Sequence, residues 1–546
     1  MSSENGQTAG RGAADHVDAV IVGAGFAGLY MLHRLRDKLG LKAEVIEAAT
    51  GVGGTWFWNR YPGARCDIQS VHYSYAFSEE LQQEWTWSEK YAAQPEILSY
   101  LNFVADRFDL RRSISLGTRV TAATFDEASN SWDVETDSGR RLRARYVISA
   151  VGCLSAGHVP SFPGVEAFAG KTYHTGRWPV EGVDFTGQRV GIIGTGSTAI
   201  QTIPFIAQQA SHLTVFQRSA TYATPLGNTP SDPAEGGDGP GEAATRLAME
   251  WESWAGVPFP RIRPSGKGVS AEERTAWFEE CWAQGGFALW GGSYADLLFD
   301  PELNEAAAEF IRAKIKQKVR DPAVAELLTP RGIPYGTKRP VCETGFYETF
   351  NRDNVTLVDI KAAPIVEITA TGLRTAAATH ELDSLIFATG FDAFTGALFA
   401  MNIRGRGGKR LQDHWGEGPR NYLGLSIHGF PNLFTITGPF SPSVLFNMPR
   451  GIEQHCDWIA DSIAAMERQN LASMEATAEA EAAWMAEVKA IADMTLFPTT
   501  DSWYLGANIP GKPRVFMVFL AGGKRYKEIC DEVVADNYRG FALSPA

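Results

Sequence analysis

The sequence predicts an α/β fold of two Rossmann-like dinucleotide-binding domains with a helical insertion. Two stretches carry most of that reading: DAVIVGAGFAG from Asp18 and RVGIIGTGSTA from Arg189, each an apolar strand running into a glycine turn and then a helix. The third observation is a change of character between Asn228 and Arg331, where helix-forming residues replace the strand pattern. At 546 residues the chain exceeds one core, and roughly 150 residues per domain allows about three units.

In the first copy, Gly23, Gly25 and Gly28 fit G-x-G-x-x-G. The first glycine permits the tight turn, the second lets a pyrophosphate approach the backbone, and the third lets helix and strand pack closely. Phe26 and Ala27 complete the turn. LKAEVIEA reads as the next strand and ends on Glu47, about 20 residues on, where a carboxylate suits a ribose hydroxyl. In the second copy, Gly194, Gly196 and Ala199 make the G-x-G-x-x-A variant, with Thr195, Ser197, Thr198 and Gln201 around it. Its following strand, HLTVFQRS, ends on Arg218 and Ser219 without an acid. A guanidinium pairs with a 2′-phosphate that a carboxylate would repel, so this copy is expected to take NADPH. The first copy is then expected to hold a flavin, FAD.

RYVISAVG and SLIFATGFDA read as strands followed by glycine crossings between the two nucleotide domains. Within the insertion, SDPAEGGDGPGE reads as a loop. Asp300 and Asp321, each followed by proline, read as N-caps of two helices. After Phe391 the chain is expected to return to the first domain, with a helix around IEQHCDWIADSIAAMERQ. The expected division is a flexible arm over 1–16, an FAD-binding domain over 17–154 and 388–546, an NADP-binding domain over 155–227 and 332–387, and the insertion over 228–331.

Composition excludes other classes. A formal net charge of -13 argues against nucleic acid, whose phosphates need a basic excess. The six cysteines lack C-x-x-C pairing, so neither a zinc site nor a dithiol motif is read from them. The polar N-terminus has no signal-peptide core, and no run of about 20 apolar residues follows. A cytoplasmic protein with no membrane partner is expected; the oligomeric state stays open, and a monomer is compatible with the sequence. Two dinucleotide folds also describe disulfide reductases, but GVGGTWFWNRYPGARCDIQS after Glu47 holds Cys66 alone.

FAGKTYHTGRWP, Phe168 to Pro179, matches F-x-G-x-x-x-H-x-x-x-W-P, with Phe168, Gly170, His174, Trp178 and Pro179 in place. On that segment the chain resembles the type I Baeyer–Villiger monooxygenases. GGTWFWNRYPGARCD, GTKRPVCETGFYETFNRDNV, ATGFD and SWYLGANIPGKPR are similar to segments of the same family. The resemblance implies NADPH- and O₂-dependent oxidation of a ketone to an ester or lactone through a C4a-peroxyflavin. It also implies that the His174 segment couples cofactor binding to domain movement; pinning a linker is the simpler role for the histidine.

The same resemblance implies that Arg339 is the catalytic cation, a role suited to a group that does not deprotonate, and that Asp67 orients it. It implies Lys338 as a second cation for the 2′-phosphate and Trp503 as a contact to the nicotinamide cofactor. Gly54, Thr55, Trp56, Tyr73 and Met448 are expected to line the flavin. TGPFSPSVLFNMPR mixes prolines and a glycine with apolar tips, so Leu445 and Phe446 are expected over the substrate. The loop's length resembles the aryl-ketone and steroid or large-ring members of the family, which implies bulky cyclic or aryl ketones, although KRPVCETG is more similar to the cyclohexanone type. Equally open from the residues is a reading in which Leu445 and Phe446 fill the core. A flavin monooxygenase acting on nitrogen or sulfur and a non-catalytic redox sensor stay as alternative functions.

Overall fold

The computed structural model describes residues 14–231 and 242–546. The expected loop SDPAEGGDGPGE spans 231–242, of which 232–241 lie outside the described residues, while Glu242 opens a helix. Most of the expected N-terminal arm also lies outside them. Its end does not: the strand Asp15–Val22 begins inside the expected arm, with Asp15 opposite Leu142 and His16 opposite Arg143.

Two sheets organise the described residues. In the first, of eight strands, Asp15–Val22 lies parallel between Ala43–Ile46 and Arg141–Ser149. The long strand Arg141–Ser149 takes an antiparallel partner, Ser131–Thr136, along its first half and the parallel strand Leu433–Thr435 along its second. Val20 and Ile21 are fully buried, so this strand carries apolar side chains on both faces, as a parallel sheet covered on two sides demands. The second sheet is all parallel, in the order Val355–Asp359, His212–Gln217, Arg189–Ile193, Ser384–Phe387, Lys171–His174.

The two glycine turns obey one rule. Gly23 has φ +106°, and a Cβ there would stand 2.6 Å from the carbonyl oxygen of Ala150, just past the neighbouring strand. Gly194 has φ +116°, and its Cβ would stand 2.4 Å from the carbonyl oxygen of Ala388, just past the equivalent neighbour. Only glycine tolerates both the dihedral and the contact. The helices Phe26–Leu32 and Ser197–Gln209 follow directly.

In the insertion, Asp300 accepts from the backbone N–H groups of Glu302 and Leu303 at 2.9 and 3.0 Å, capping Pro301–Lys318. Asp321 caps Pro322–Leu327 in the same way. Trp277, Phe278, Ile311 and Ile315 of the insertion share one core with Ile203, Ile206 and Val215 of the second sheet and its helix. Met517, Val518 and Leu520, expected with the first domain, are buried in that shared core, because the chain after Trp503 fills the cleft between the sheets. The helix Met448–Arg468 returns to the first turn, where the Tyr30 hydroxyl donates to Asp457 at 2.7 Å. Among the described residues, no helix is long and apolar enough to cross a membrane.

Candidate active site

A cavity of about 1650 Å³ lies between the two glycine turns and reaches the insertion. On the first side Gly23, Gly25, Phe26, Ala27, Glu47, Gly54, Thr55, Trp56, Tyr73 and Met448 line it. Gly25 and Gly54 meet backbone to backbone: a Cβ on Gly54, where φ is +53°, would stand 2.8 Å from Gly25 Cα. Glu47 accepts the Ala24 N–H at 2.6 Å and the Ala49 N–H at 2.7 Å. Burial raises its pKa despite those bonds. The Trp56 indole N–H donates to the Tyr73 hydroxyl at 3.2 Å, and Tyr73 meets Phe26 edge-on at 5.4 Å, giving a rigid aromatic wall.

On the second side the cavity is lined by Thr195, Gly196, Ser197, Thr198, Gln201, Arg218, Ser219 and Lys338. A Cβ on Gly196 would meet nothing within 4 Å, so the backbone there faces open space. Burial, then the charge of Arg218, lower the pKa of Lys338. Among the described residues neither cation has a carboxylate partner, and a dianionic phosphate would relieve their repulsion.

Gly28 and Ala199, expected with the cofactor contacts, do not line the cavity. They sit at the third position of each turn, which serves helix packing: a Cβ on Gly28 would lie 1.7 Å from the Gly23 carbonyl oxygen, and Ala199 is fully buried.

Arg339 lies where the two sides meet. Its Nε donates to Asp67 Oδ2 at 3.0 Å and its Nη2 to Asp67 Oδ1 at 2.9 Å, a two-pronged pair. Nη1 donates to the Val444 carbonyl oxygen at 2.7 Å, and the guanidinium carbon lies 4.8 Å from the centre of the Phe287 ring. Burial pulls the Arg339 pKa down, but Asp67 more than offsets it and holds the group above its ordinary value. The guanidinium therefore stays charged while one face of the site stays apolar. Trp503 lines the same cavity and stacks on Phe394 at 5.8 Å. Leu445 and Phe446 line it too, each only 4% exposed, so the two expectations for them meet in one wall.

The FAGKTYHTGRWP segment forms the edge strand Lys171–His174 and a short turn. The Gly176 N–H donates to His174 Nδ1 at 3.0 Å, and burial lowers the histidine's pKa, so the ring is neutral. His174 itself does not line the cavity, whereas Gly176 and Arg177 do. Thr198 Oγ1 donates to Thr175 Oγ1 at 3.0 Å, and the Trp178 N–H reaches the Trp58 carbonyl at 3.4 Å. The segment thus touches the second glycine turn and the first domain at once. Gln201 adds a second tie, donating to the Arg65 carbonyl at 3.0 Å while accepting from the Tyr61 hydroxyl at 2.8 Å.

Sequence reasoning missed several wall residues: Arg119 near Glu47, and Trp254, Phe259, Phe287 and Trp290 from the insertion. The only signal for the latter group is aromatic density, as in WESWAGVPFP.

A family model described as pyridine nucleotide-disulphide oxidoreductase matches residues 20–231. A Baeyer-Villiger monooxygenase of Pseudooceanicola batsensis is 47% identical, covering 98% of this chain and 97% of its own. The phenazine N-monooxygenase PhzNO1 of Lysobacter antibioticus is 43% identical, with 97% of each chain covered. Among solved structures, an oxidised steroid monooxygenase bound to NADP superposes with a TM-score of 0.91 at 51% identity, covering 97% of this chain and all of that one.

Proposed function

The chain belongs to the Baeyer–Villiger monooxygenases, and from that premise we propose that it converts a ketone, O₂, NADPH and a proton to an ester or lactone, water and NADP⁺. FAD, when bound, supplies the redox chemistry that accepts hydride from NADPH and activates oxygen. The residues present fit both nucleotides. Gly25 and Gly54 offer bare backbone at the first turn, with Glu47 beyond it for a ribose hydroxyl. Gly196 opens the second turn to a pyrophosphate, and the unpaired cations Arg218 and Lys338 suit a 2′-phosphate. We assign FAD to 17–154 and 388–546 and NADP to 155–227 and 332–387, with 228–331 as the insertion; the two separate sheets, one mixed and one all parallel, support that division.

The observation that carries the catalytic reading is the Arg339–Asp67 pair inside the cavity. Oxygen insertion next to a carbonyl starts from an anionic attacking oxygen and moves that charge onto the carbonyl oxygen. In our reading Arg339 stabilises both, since a cation held in place beforehand costs no reorganisation at the moment of reaction. Asp67 fixes the plane of the guanidinium, and Val444 takes its remaining prong. Leu445 and Phe446 border the ketone, Trp254 and Phe287 line the same cavity, and this apolar lining favours bulky cyclic or aryl ketones. Met448 and the Trp56–Tyr73 wall are assigned to the flavin, and Trp503 to the nicotinamide.

A second reading, oxygen transfer to nitrogen, is favoured by the 43% identity to the phenazine N-monooxygenase. Product identity separates the two. With NADPH, O₂ and a panel of ketones, ester or lactone formed in step with NADPH consumed supports the first reading. N-oxide from a phenazine with no ester from any ketone would install the second.

A further inference from the structure

The segment Val444–Met448 offers Arg339 a carbonyl and the cavity its apolar wall, yet it is a short turn followed by a helix start. Something outside it must hold it. The Phe446 ring sits in a slot without side chains: a Cβ on Gly523 would come within 2.2 Å of it, and one on Gly256 within 2.7 Å. Trp251 covers the ring at 5.4 Å. The Asn447 N–H donates to the Ala255 carbonyl at 2.8 Å, and its side-chain amide donates to the carbonyls of His72 at 2.8 Å and Gly256 at 3.2 Å.

Three residues beyond Asn447, Arg450 is buried with a 3% exposed side chain. Its Nε donates to Glu250 Oε2 at 2.5 Å, its Nη2 to the Ser74 carbonyl at 2.5 Å, and its Nη1 to Glu453. Glu250, at 1% exposure, also meets His72 Nδ1 at 2.6 Å, and Arg246 lies 3.9 Å away. Glu453 Oε1 accepts the N–H groups of Ala76 and Phe77 at 2.6 and 3.0 Å. One guanidinium thus joins the insertion helix Glu242–Glu252, the stretch around His72–Phe77 and the helix that opens with Met448.

Charges this deeply buried do little for net stability, because desolvation cancels most of their attraction. What a forked, fully engaged guanidinium does supply is a fixed geometry that lysine cannot copy. We propose that the Glu250–Arg450 pair is a positioning device: it locks Val444–Met448 against the insertion, and so sets both the width of the ketone pocket and the third hydrogen bond of Arg339. The helical insertion gains a role on this account. It delivers Glu250 to the pair, Trp251 to Phe446 and Trp254 to the cavity wall. The inference rests on the assignment of Leu445 and Phe446 to the ketone.

The test uses Arg450→Lys, Glu250→Gln and the triple variant Glu250→Gln/Arg450→Gln/Glu453→Gln, all as FAD-loaded enzyme. A displacement of about 1 Å in a supporting element costs on the order of 10²-fold in rate. We expect kcat/KM for ketones to fall about tenfold or more, mainly through KM. The ratio of large-ring ketone to cyclohexanone should shift about fivefold, and more NADPH should be consumed per ester formed. Stopped-flow reduction of the flavin by NADPH should stay within about twofold of the parent, since Arg218, Lys338 and the glycine turns are untouched. Parental ketone selectivity and coupling in the folded variants would overturn the proposal. So would equal losses in flavin reduction and ketone oxidation, which mark a general structural defect. A single variant that aggregates leaves the triple, in which none of Glu250, Arg450 and Glu453 keeps a charge, to decide. The shift is read against the parent, whichever ketone the parent prefers, so an error in the substrate-size assignment appears in the parent and an error about the pair appears in the variants.

Discussion

Arg339 and Asp67 stand 272 residues apart in the chain and meet through two parallel hydrogen bonds of 3.0 and 2.9 Å. The pair couples the segment after the helix Thr55–Trp58 to the segment just before the strand Val341–Glu343. It also has a partner beyond itself, since Val444 takes the third prong of the guanidinium at 2.7 Å. Charge, plane and position of the cation are therefore set by three separate parts of the chain.

From this geometry, Arg339→Ala should fold, retain FAD and form almost no ester. Losing one preorganised charge at a developing oxyanion typically costs about 10²–10³-fold. Asp67→Ala should be impaired as well, because the guanidinium keeps its charge but loses two of three anchors. Ester yield per FAD, measured by gas chromatography, checks both. Parental ester formation by Arg339→Ala would move the catalytic role to another residue.

The unpaired cations make a cofactor prediction. Arg218→Ala and Lys338→Ala should each weaken NADPH but hardly touch NADH. One charge-assisted bond is worth roughly 1.5–3 kcal/mol, so the preference should shrink about tenfold or more. Steady-state KM for both nucleotides is the measurement, and equal use of both by the parent would refute the assignment of these two residues.

Much of this was legible beforehand, and the reason is locality. The glycine turns, the caps at Asp300 and Asp321, and Glu47 at a strand end are written within a few residues of where they act. The Arg339–Asp67 contact was reachable only through family resemblance, because nothing in either neighbourhood names its partner. Trp254 and Phe287 were missed because a wall residue has no spacing rule; only the folded insertion brings them to the cavity. Gly28 and Ala199 take the third position of each turn, which the motif already gives to helix packing. That position serves packing in the fold too, and neither residue lines the cavity.

His455 gives a prediction about acid stability. It is 1% exposed, its Nδ1 accepts the Thr437 N–H at 2.9 Å, and burial pushes its pKa down to about 3. The unfolded chain, with histidine near its usual 6.5, binds a proton that the folded state refuses. Stability from this residue is therefore complete above about pH 6.5 and is lost as pH falls toward 3. His455→Asn, which offers an acceptor near the Nδ1 position, should be less stable at pH 7 but show a flatter decline between pH 6.5 and 4. Urea unfolding at several pH values tests the slope, and parallel curves for parent and variant would exclude His455 as its source.

Substrate size is the last prediction. Thr437, Phe440 and Ser443 all take positive φ, at 52°, 68° and 39°, so the loop before Leu445 holds a conformation that non-glycine residues rarely adopt. Such strain persists only where surroundings enforce it, and here the enforced product is a wall of Leu445 and Phe446 at the cavity. Because Phe446 is seated between Gly256 and Gly523, the ring has no room to swing outward for a larger guest. Breadth must come from the rest of the cavity, whose lining includes Trp254, Phe259 and Trp290. A small ring such as cyclohexanone would leave those aromatics uncovered, whereas a large-ring or steroid ketone buries more apolar area at about 25 cal/mol per Å². We therefore expect kcat/KM for the larger ketone to exceed that for cyclohexanone, with the difference mostly in KM. Phe446→Ala should cost the larger ketone more than the smaller, since it opens a void where contact was made. A marked preference of the parent for cyclohexanone would reject this argument while leaving the reaction class untouched.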